Sequence, residues 1–173
     1  AARAQIVLWN SIVDKVRAVF PDIHFIHCAA TEGTKFSEHI HANVVRLGMG
    51  LYGCARTSGV PVTPALEMKT IVTSVRKIQR GESIGYNNTY TAPRDMRVAT
   101  VPVGYAEGVD RRLSNCGALT IGTTPCSIVG RVSMNITSID VTDCDPAVTI
   151  GDEVTVISRN PDDVNSCESM ARI

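Results

Sequence analysis

A tyrosine in a stretch that opens with a glycine turn is the first residue whose type could do chemistry. Tyr86 lies in the run Gly81 to Ala92, which also contains a second tyrosine, Tyr90. A phenol has an ordinary pKa of about 10, so it accepts a proton near neutral pH only where cationic neighbours stabilise its phenolate. The alternative is a half-buried tyrosine in a β-strand, where tyrosine is common. The stretch alone leaves both interpretations open.

Polar residues near the start of the chain stand at the ends of two apolar runs. His27 and Thr31 come at the end of the first run, and Arg46 and Gly48 at the end of the second. In a parallel α/β barrel the carboxyl ends of the strands form the active-site face. The Thr31 hydroxyl and the backbone amides of Gly48 and Met49 could together hold a phosphate, because glycine lets a backbone approach an anion closely.

Two of these residues have a structural alternative. An arginine in a buried strand has to be paired or functional, because an isolated buried charge costs too much free energy. Arg46 is therefore either the partner of an acidic side chain elsewhere or a binding residue. His27 is either a core histidine with satisfied hydrogen bonds or a binding residue.

Alternating helices and strands position these residues. The alternation over residues 1 to about 53 is typical of a parallel α/β layer or barrel. Two strands cannot close a barrel that needs eight, so most of such a barrel would lie upstream of Ala1. The predicted elements are a helix from Ala1 to Phe20, a strand buried on both faces from Ile23 to Cys28, a weak helix from Thr34 to His41, and a buried strand running into a turn from Asn43 to Gly53.

The remainder of the chain has a different pattern. A Ser/Gly/Pro-rich stretch from Thr57 to Pro64 predicts a linker, which divides the chain into domains at 1–60 and 61–173. After it the hydrophobic period is two, which predicts a mainly antiparallel, barrel-like β domain ending in the start of a helix at Ser166. The candidate strands are Leu66 to Ile78, Glu82 to Thr91, Arg97 to Val103, Ala118 to Ile121, Cys126 to Val132, Ile136 to Val141 and Glu153 to Ile157.

Composition excludes several classes of function. Lys+Arg and Asp+Glu balance at 17 each, which disfavours binding to nucleic acid or to a membrane surface. The six cysteines form no C-x-x-C pair and no Cys/His cluster, so free thiols are expected and no metal site. Neither a membrane span nor a signal peptide is recognisable, and a cytoplasmic protein is expected. Both ends lie inside apparent helices without capping signals, which predicts a fragment of a longer protein.

Several ordered motifs resemble the C-terminal half of alanine racemases, and the resemblance covers nearly the whole chain. They are Arg46-Leu-Gly-Met-Gly-Leu-Tyr-Gly53, Gly85-Tyr-Asn-Asn-Thr-Tyr-Thr-Ala92, Gly104-Tyr-Ala-Glu-Gly108 with Arg111 and Arg112, Ile128-Val-Gly-Arg-Val-Ser-Met-Asn135, and Gly151-Asp-Glu-Val154. The resemblance implies an enzyme that uses pyridoxal phosphate (PLP), with an N-terminal (β/α) barrel of the TIM type, a C-terminal β domain, and a head-to-tail homodimer with shared active sites.

The resemblance also assigns roles to individual residues. Tyr86 matches the catalytic tyrosine, one of two bases on opposite faces of the substrate, the other being the cofactor lysine. The cofactor-binding residues implied are Arg46 at the pyridine nitrogen and Thr31, Gly48 and Met49 at the phosphate, with His27 added from its position. Tyr105 and Met134 match residues that one subunit presents at the entrance to the other subunit's site, and Asn135 lies beside them.

Three departures from the family pattern affect what can be expected. The cofactor lysine is missing, since neither Lys15, Lys35, Lys69 nor Lys77 lies in a matching motif, so this piece alone is expected to be inactive. Glu107 replaces an aspartate. Asn135 stands where most of the family has aspartate, and its amide offers a donor that suits a hydroxyl-bearing substrate, as in the serine racemases related to this family in vancomycin resistance.

The expected function is therefore interconversion of L- and D-alanine, which supplies D-alanine for bacterial peptidoglycan. A serine racemase is one alternative. A PLP-dependent basic amino-acid decarboxylase is another, although the cysteine- and aspartate-bearing substrate loop that it would need is not found. The third alternative is a non-catalytic β module that only mediates association.

Overall fold

The computed structural model describes residues 2–54 and 62–173, which fall into two compact units that divide between Ala65 and Leu66. The predicted linker from Thr57 to Pro64 lies largely outside the described residues. Each unit is described by itself. Within the described residues no helix is both long enough and apolar enough to cross a membrane.

The first unit contains one long helix and a pair of parallel strands. Helix α1 (Ala2–Val19) follows the predicted apolar periodicity and ends before Pro21. Strands β1 (His27–Ala30) and β2 (Val44–Arg46) pair in parallel, as the alternating pattern predicted. Short 3₁₀ helices follow each strand, at Thr31–His39 and Met49–Tyr52.

The prediction that both strands are buried on two faces is wrong for the described chain. β1 starts four residues later than predicted, because the Ile26 amide and the His24 carbonyl are hydrogen-bonded to the Asn43 side chain and not to the backbone of a neighbouring strand. Asn43 accepts a hydrogen bond from Ile26 N at 2.8 Å and donates one to His24 O at 2.7 Å. The two strands form a sheet of their own, and most of their side chains are exposed or half-buried.

The second unit is a set of antiparallel sheets around a common core, as the period of two predicted. The strands are β3 (Met68–Ile71), β4 (Ser74–Ile78), β5 (Ser83–Ile84), β6 (Tyr90–Thr91), β7 (Met96–Val101), β8 (Ala118–Ile121), β9 (Thr124–Ser127), β10 (Thr137–Asp140) and β11 (Glu153–Ile157). One sheet has the order β10-β7-β4, a second has the order β3-β11-β8-β9, and β5 pairs with β6. A short helix α2 (Cys167–Met170) follows a serine cap, Ser166.

Two predicted strands are interrupted. The run Leu66 to Ile78 changes sheets at Val72 and Thr73, whose amides bond to Asp152 O and Thr100 O respectively. The run Glu82 to Thr91 becomes the short hairpin β5–β6 with a 3₁₀ turn, Tyr86–Asn88, between its strands. Tyr86 therefore lies in a turn and not in a strand.

Two apolar clusters fill the second unit. The larger one joins the two main sheets through fully buried residues such as Leu119, Ile139 and Val156. The smaller one, built from Ile84, Ala92, Met96, Val98 and Val129, lies beneath the β5–β6 hairpin. Burial of these side chains is the main stabilising contribution to the unit, and it gives the hairpin a packed base.

Candidate active site

The hydroxyl of Thr31 lies at the carboxyl end of β1 and collects two backbone amides from the loop after β2. Its Oγ1 accepts hydrogen bonds from Gly48 N at 3.2 Å and from Gly50 N at 3.3 Å. A Cβ on Gly50 would lie 2.7 Å from Thr31 Cγ2, so this close approach requires glycine. With both acceptor positions used, the hydroxyl keeps its own hydrogen for a third group.

The two amides that bond to the Thr31 hydroxyl belong to Gly48 and Gly50. The phosphate-binding role of the Gly48 and Met49 amides stays a prediction, and the bond from Gly50 was not predicted. The alternating glycines at positions 48 and 50 were the available signal, since each permits close backbone approach. Met49 lies between them, and its side chain is exposed.

Arg46 is the last residue of β2 and lies opposite Ala30 in the strand register. Ala30 is the residue directly before Thr31. Its side chain is exposed and forms no ion pair within the part of the chain that the structure describes. Arg46 is thus exposed in this chain and not buried, and its pairing with an acidic side chain elsewhere in the barrel stays an alternative prediction. The structure does bring Arg46, Thr31 and Gly48 to the same end of the parallel pair.

His27 does not join this group. It begins β1 and does not end it, so it lies three residues before Ala30 and away from the Thr31 end of the strand. Its side chain is exposed, so it is not a core histidine either. The late start of β1, which Asn43 causes, explains the misplacement.

Tyr86 stands on the turn between β5 and β6 and is 69% exposed. The left-handed backbone at Gly85 (φ 77°), Asn87 (φ 61°) and Asn88 (φ 51°) breaks the strand that its neighbours' propensities predicted. Glycine and asparagine adopt this conformation more readily than other residues. Tyr86 is thus not the half-buried strand tyrosine of the alternative interpretation.

A cleft of about 400 Å³ opens beside Tyr86 within the second unit. Arg76, Arg131, Ser133 and Ser138 are among the residues that line it, together with Tyr86. Neither arginine is paired with a carboxylate in the described residues of this unit. The cleft therefore brings two unpaired arginines and Tyr86 into one lining, and both arginines were missed at the level of sequence because β4 and the 130–133 loop are far apart along the chain.

Tyr105, Met134 and Asn135 lie on two loops whose backbones are bonded together. Tyr105 N donates to Ser133 O at 3.0 Å, and Ala106 N donates to Met134 O at 2.9 Å. The Tyr105 ring lies 5.2 Å from the Arg111 guanidinium, a cation–π distance. Tyr105 and Met134 are 45% and 61% exposed. The structure therefore gathers these predicted residues on one exposed surface.

Gly104 makes that pairing of loops possible. A Cβ at Gly104 would lie 2.2 Å from Ser133 O and 2.6 Å from Met134 O, which no side chain could tolerate. Glu107 closes the turn by accepting a hydrogen bond from Gly104 N at 2.8 Å. The glutamate that departs from the family pattern thus has a local structural use here.

Comparisons of the sequence and the fold with known proteins show which family the chain resembles. Residues 65–173 match a family model described as alanine racemase, C-terminal domain. An alanine racemase of Jannaschia sp. (strain CCS1) is 43% identical over 117 residues, which are 68% of this chain and 34% of the relative.

Two solved structures resemble the chain over most of its length. Alanine racemase from Bacillus anthracis with bound L-Ala-P is 30% identical, with a TM-score of 0.79, over 95% of this chain and 44% of that chain. Alanine racemase from Bartonella henselae with covalently bound pyridoxal phosphate is 26% identical, with a TM-score of 0.74, over 94% and 46%. The chain spans less than half the length of these proteins. Because the family model matches more than half of the sequence, the chain belongs to the alanine racemase family.

Proposed function

We propose that this chain is the C-terminal part of a PLP-dependent alanine racemase that interconverts L- and D-alanine by two-base proton transfer and supplies D-alanine for peptidoglycan. One observation carries the proposal: Tyr86 is exposed although the backbone that bears it is packed. A Cβ on Gly85 would lie 3.2 Å from Arg131 N, so the hairpin sits directly on the neighbouring loop. A tyrosine without a function at the surface would not need a backbone packed this closely on the neighbouring loop.

The residues of the first unit fit the phosphate of the cofactor. A hydroxyl with a hydrogen to donate and a glycine loop with close backbone approach are the groups that bind phosphate without a charged loop. The Thr31 hydroxyl and the Met49 amide would hold it, the Gly48 amide would turn to it from Thr31, and Arg46 would face the pyridine nitrogen. A guanidinium would not transfer a proton to that nitrogen, because its pKa is too high. The pyridine ring would then stay less electron-withdrawing, which would limit side reactions such as transamination. His27 stays a prediction, since it lies at the other end of β1.

In the second unit the Tyr86 phenolate would take a proton from the α-carbon, or the Tyr86 phenol would return one, on one face of the substrate. Bound PLP supplies the electron withdrawal that makes this proton acidic. The base for the other face would be the cofactor lysine, for which this chain has no matching motif. Tyr86, Tyr105 and Met134 would serve the site of a partner subunit in a head-to-tail homodimer.

Asn135 supports serine as a second substrate. Its side chain is exposed beside Met134 and makes no hydrogen bond within the described residues. A free amide donor at the substrate entrance could pair with a hydroxyl that alanine lacks.

The test is a graft in which this chain replaces the matching segment of the Bacillus anthracis alanine racemase. We expect the graft to form D-alanine from L-alanine, and the 173-residue chain alone to form none. A graft that binds PLP, as judged by its absorbance, but does not racemise would overturn the proposal. Should the full graft not bind PLP, a second graft limited to Leu66–Ile173 keeps the host's own barrel and decides the question.

A further inference from the structure

The turn after Asp110 reaches across to the two segments that flank Tyr86. Asp110 caps the 3₁₀ turn Arg111–Leu113 by accepting a hydrogen bond from Arg112 N at 2.8 Å. Hydrogen bonds from the Arg112 side chain hold the pKa of Asp110 below its usual value, so the carboxylate stays charged and the cap stays formed. Asn115 comes two residues after Leu113, the last residue of this turn.

Asn115 has features that an ordinary surface asparagine lacks. Its backbone is left-handed (φ 63°), its side chain is exposed, and both ends of its amide are bonded to distant backbone. Oδ1 accepts a hydrogen bond from Gly130 N at 2.6 Å. Nδ2 donates one to Thr89 O at 3.3 Å.

Both partners of Asn115 adjoin Tyr86. Thr89 ends the 3₁₀ turn on which Tyr86 sits. Gly130 supports the other side of that turn, since a Cβ on Gly130 would lie 2.8 Å from Ile84 O and 3.4 Å from the Gly85 Cα. A single side chain therefore joins the segment after Tyr86 to the loop that packs against the segment before it.

We propose that Asn115 is a positioning residue that holds the Tyr86 turn at the place from which the phenol reaches the substrate, which rests on the racemase function proposed above. Proton transfer requires the donor and acceptor at hydrogen-bond distance, and a misplacement of about 1 Å can cost on the order of 100-fold in rate. The left-handed backbone explains why asparagine is suited to the position: it tolerates that conformation better than most residues and still carries a donor and an acceptor.

The experiment uses two substitutions in the Bacillus anthracis graft. Asn115→Gly keeps the left-handed backbone and removes both hydrogen bonds, and we expect kcat to fall about 10- to 100-fold with little change in KM. Asn115→Asp keeps the acceptor for Gly130 N but sets a carboxylate oxygen against Thr89 O, so kcat should fall although the bond from Gly130 is kept. The matched control is Asn160→Gly, because Asn160 is also exposed and uses both ends of its amide, but bonds only within its own turn to Asp162 and Asp163.

A double-mutant comparison separates positioning from general destabilisation. If Asn115 acts through Tyr86, adding Asn115→Gly to Tyr86→Phe should lower kcat no further. An additive loss, or an unchanged kcat in the single variant, would overturn the inference.

A second readout needs neither cofactor nor activity. In the 173-residue chain itself, Asn115→Gly should speed amide hydrogen exchange in peptides covering residues 85–90 and 128–132, whereas Asn160→Gly should not. Equal exchange in the two variants would also contradict the inference. A wild-type graft without racemase activity would instead count against the proposed function. The exchange result would then decide by itself whether Asn115 holds the Tyr86 turn.

Discussion

The two units bury apolar side chains to very different degrees. The unit Leu66–Ile173 encloses two apolar clusters, whereas Val13 and Ile26 are the buried hydrophobic residues among the described part of the unit Ala1–Ala65. In α1 the apolar side chains Leu8 and Ile12 are 62% and 47% exposed. The periodicity of α1 therefore predicted a helix correctly, but within the described residues only the part of its apolar stripe around Val13 is covered, and Leu8 and Ile12 are not.

Polar contacts hold the first unit together where packing is sparse. The Asn10 side chain donates to His39 O at 2.9 Å and accepts from His41 N at 2.8 Å. The His41 ring lies 2.9 Å from the Asp14 carboxylate. The predicted site residues of each unit are held differently: hydrogen bonds from Gly48 N and Gly50 N hold Thr31 in the first unit, whereas the hairpin that bears Tyr86 in the second unit lies on a packed apolar cluster.

The largest effect that would test the contrast is on proton transfer. Tyr86→Phe in the graft should lower turnover by about 100- to 10,000-fold, as for a lost general acid or base, while PLP absorbance is kept. Tyr90→Phe is the matched control, because Tyr90 lies in the same hairpin and its hydroxyl donates a hydrogen bond to the Met96 sulfur, at 3.8 Å.

The pattern of loss identifies the face on which Tyr86 acts. Exchange of the α-proton with deuterated solvent should slow far more from one enantiomer of alanine than from the other. Equal slowing from both enantiomers, or a loss in Tyr90→Phe as large as in Tyr86→Phe, would make Tyr86 a packing residue.

The next effect compares the interiors of the two units. Leu119→Ala removes a fully buried side chain and should lower the free energy of unfolding by about 2–5 kcal/mol. Leu8→Ala, at an exposed helix position, should change it by less than about 0.5 kcal/mol. Denaturant unfolding of the 173-residue chain measures both, and similar losses would show that α1 is covered in solution.

Cofactor binding tests the predicted phosphate-binding role of Thr31 in the first unit. Thr31→Val keeps the shape of the side chain and removes the hydroxyl, so PLP affinity in the graft should fall about tenfold, the equivalent of one lost hydrogen bond. Thr31→Ser keeps the hydroxyl and is the control. Retained affinity in the valine variant would remove Thr31 from the phosphate site.

A smaller effect is expected at the substrate entrance. Asn135→Asp in the graft should reduce the serine-to-alanine ratio of kcat/KM several-fold, since one hydrogen bond is worth about 1 kcal/mol. The ratio is measured with both amino acids at low concentration. An unchanged ratio would exclude the serine subtype and leave the racemase proposal intact.

The last effect is a change of stability with pH, and it is expected only above neutral pH. Burial, aided by the Cys144 thiol at 3.6 Å, raises the pKa of Cys126 from 9.0 to about 12. The folded state therefore binds this proton more tightly than the unfolded state, so its stabilising contribution is full below pH 9 and declines as the pH rises towards 12. The difference in unfolding midpoint between wild type and Cys126→Ala should narrow over that range, and a constant difference would contradict the shift.

Local signals predicted the elements that have clear boundaries. The strands at Ala118–Ile121 and Glu153–Ile157 have the predicted bounds, because glycine turns at Gly117, Gly122 and Gly151 mark their ends. The run through Val72 and Thr73 has neither glycine nor proline, so its change of sheet had no local signal. That change is made by bonds to strands far along the chain.

The candidate site divides in the same way. The motif residues Thr31, Gly48, Tyr86 and Met134 could be proposed as site residues because their types are characteristic and their order resembles a family. Asn115 could not, because its bonds join residues 26 and 15 positions away. A side chain whose importance lies only in distant backbone partners has no local pattern to reveal it.

The contact at Gly104 has a consequence for altering substrate preference by directed evolution. Because the 104–108 turn and the 133–136 loop touch without room for a Cβ, the two loops cannot be reshaped independently. A library that varies Met134 and Asn135 while Gly104 stays constant should retain folded members. A library that varies Gly104 as well would lose most of its members before any selection for substrate begins.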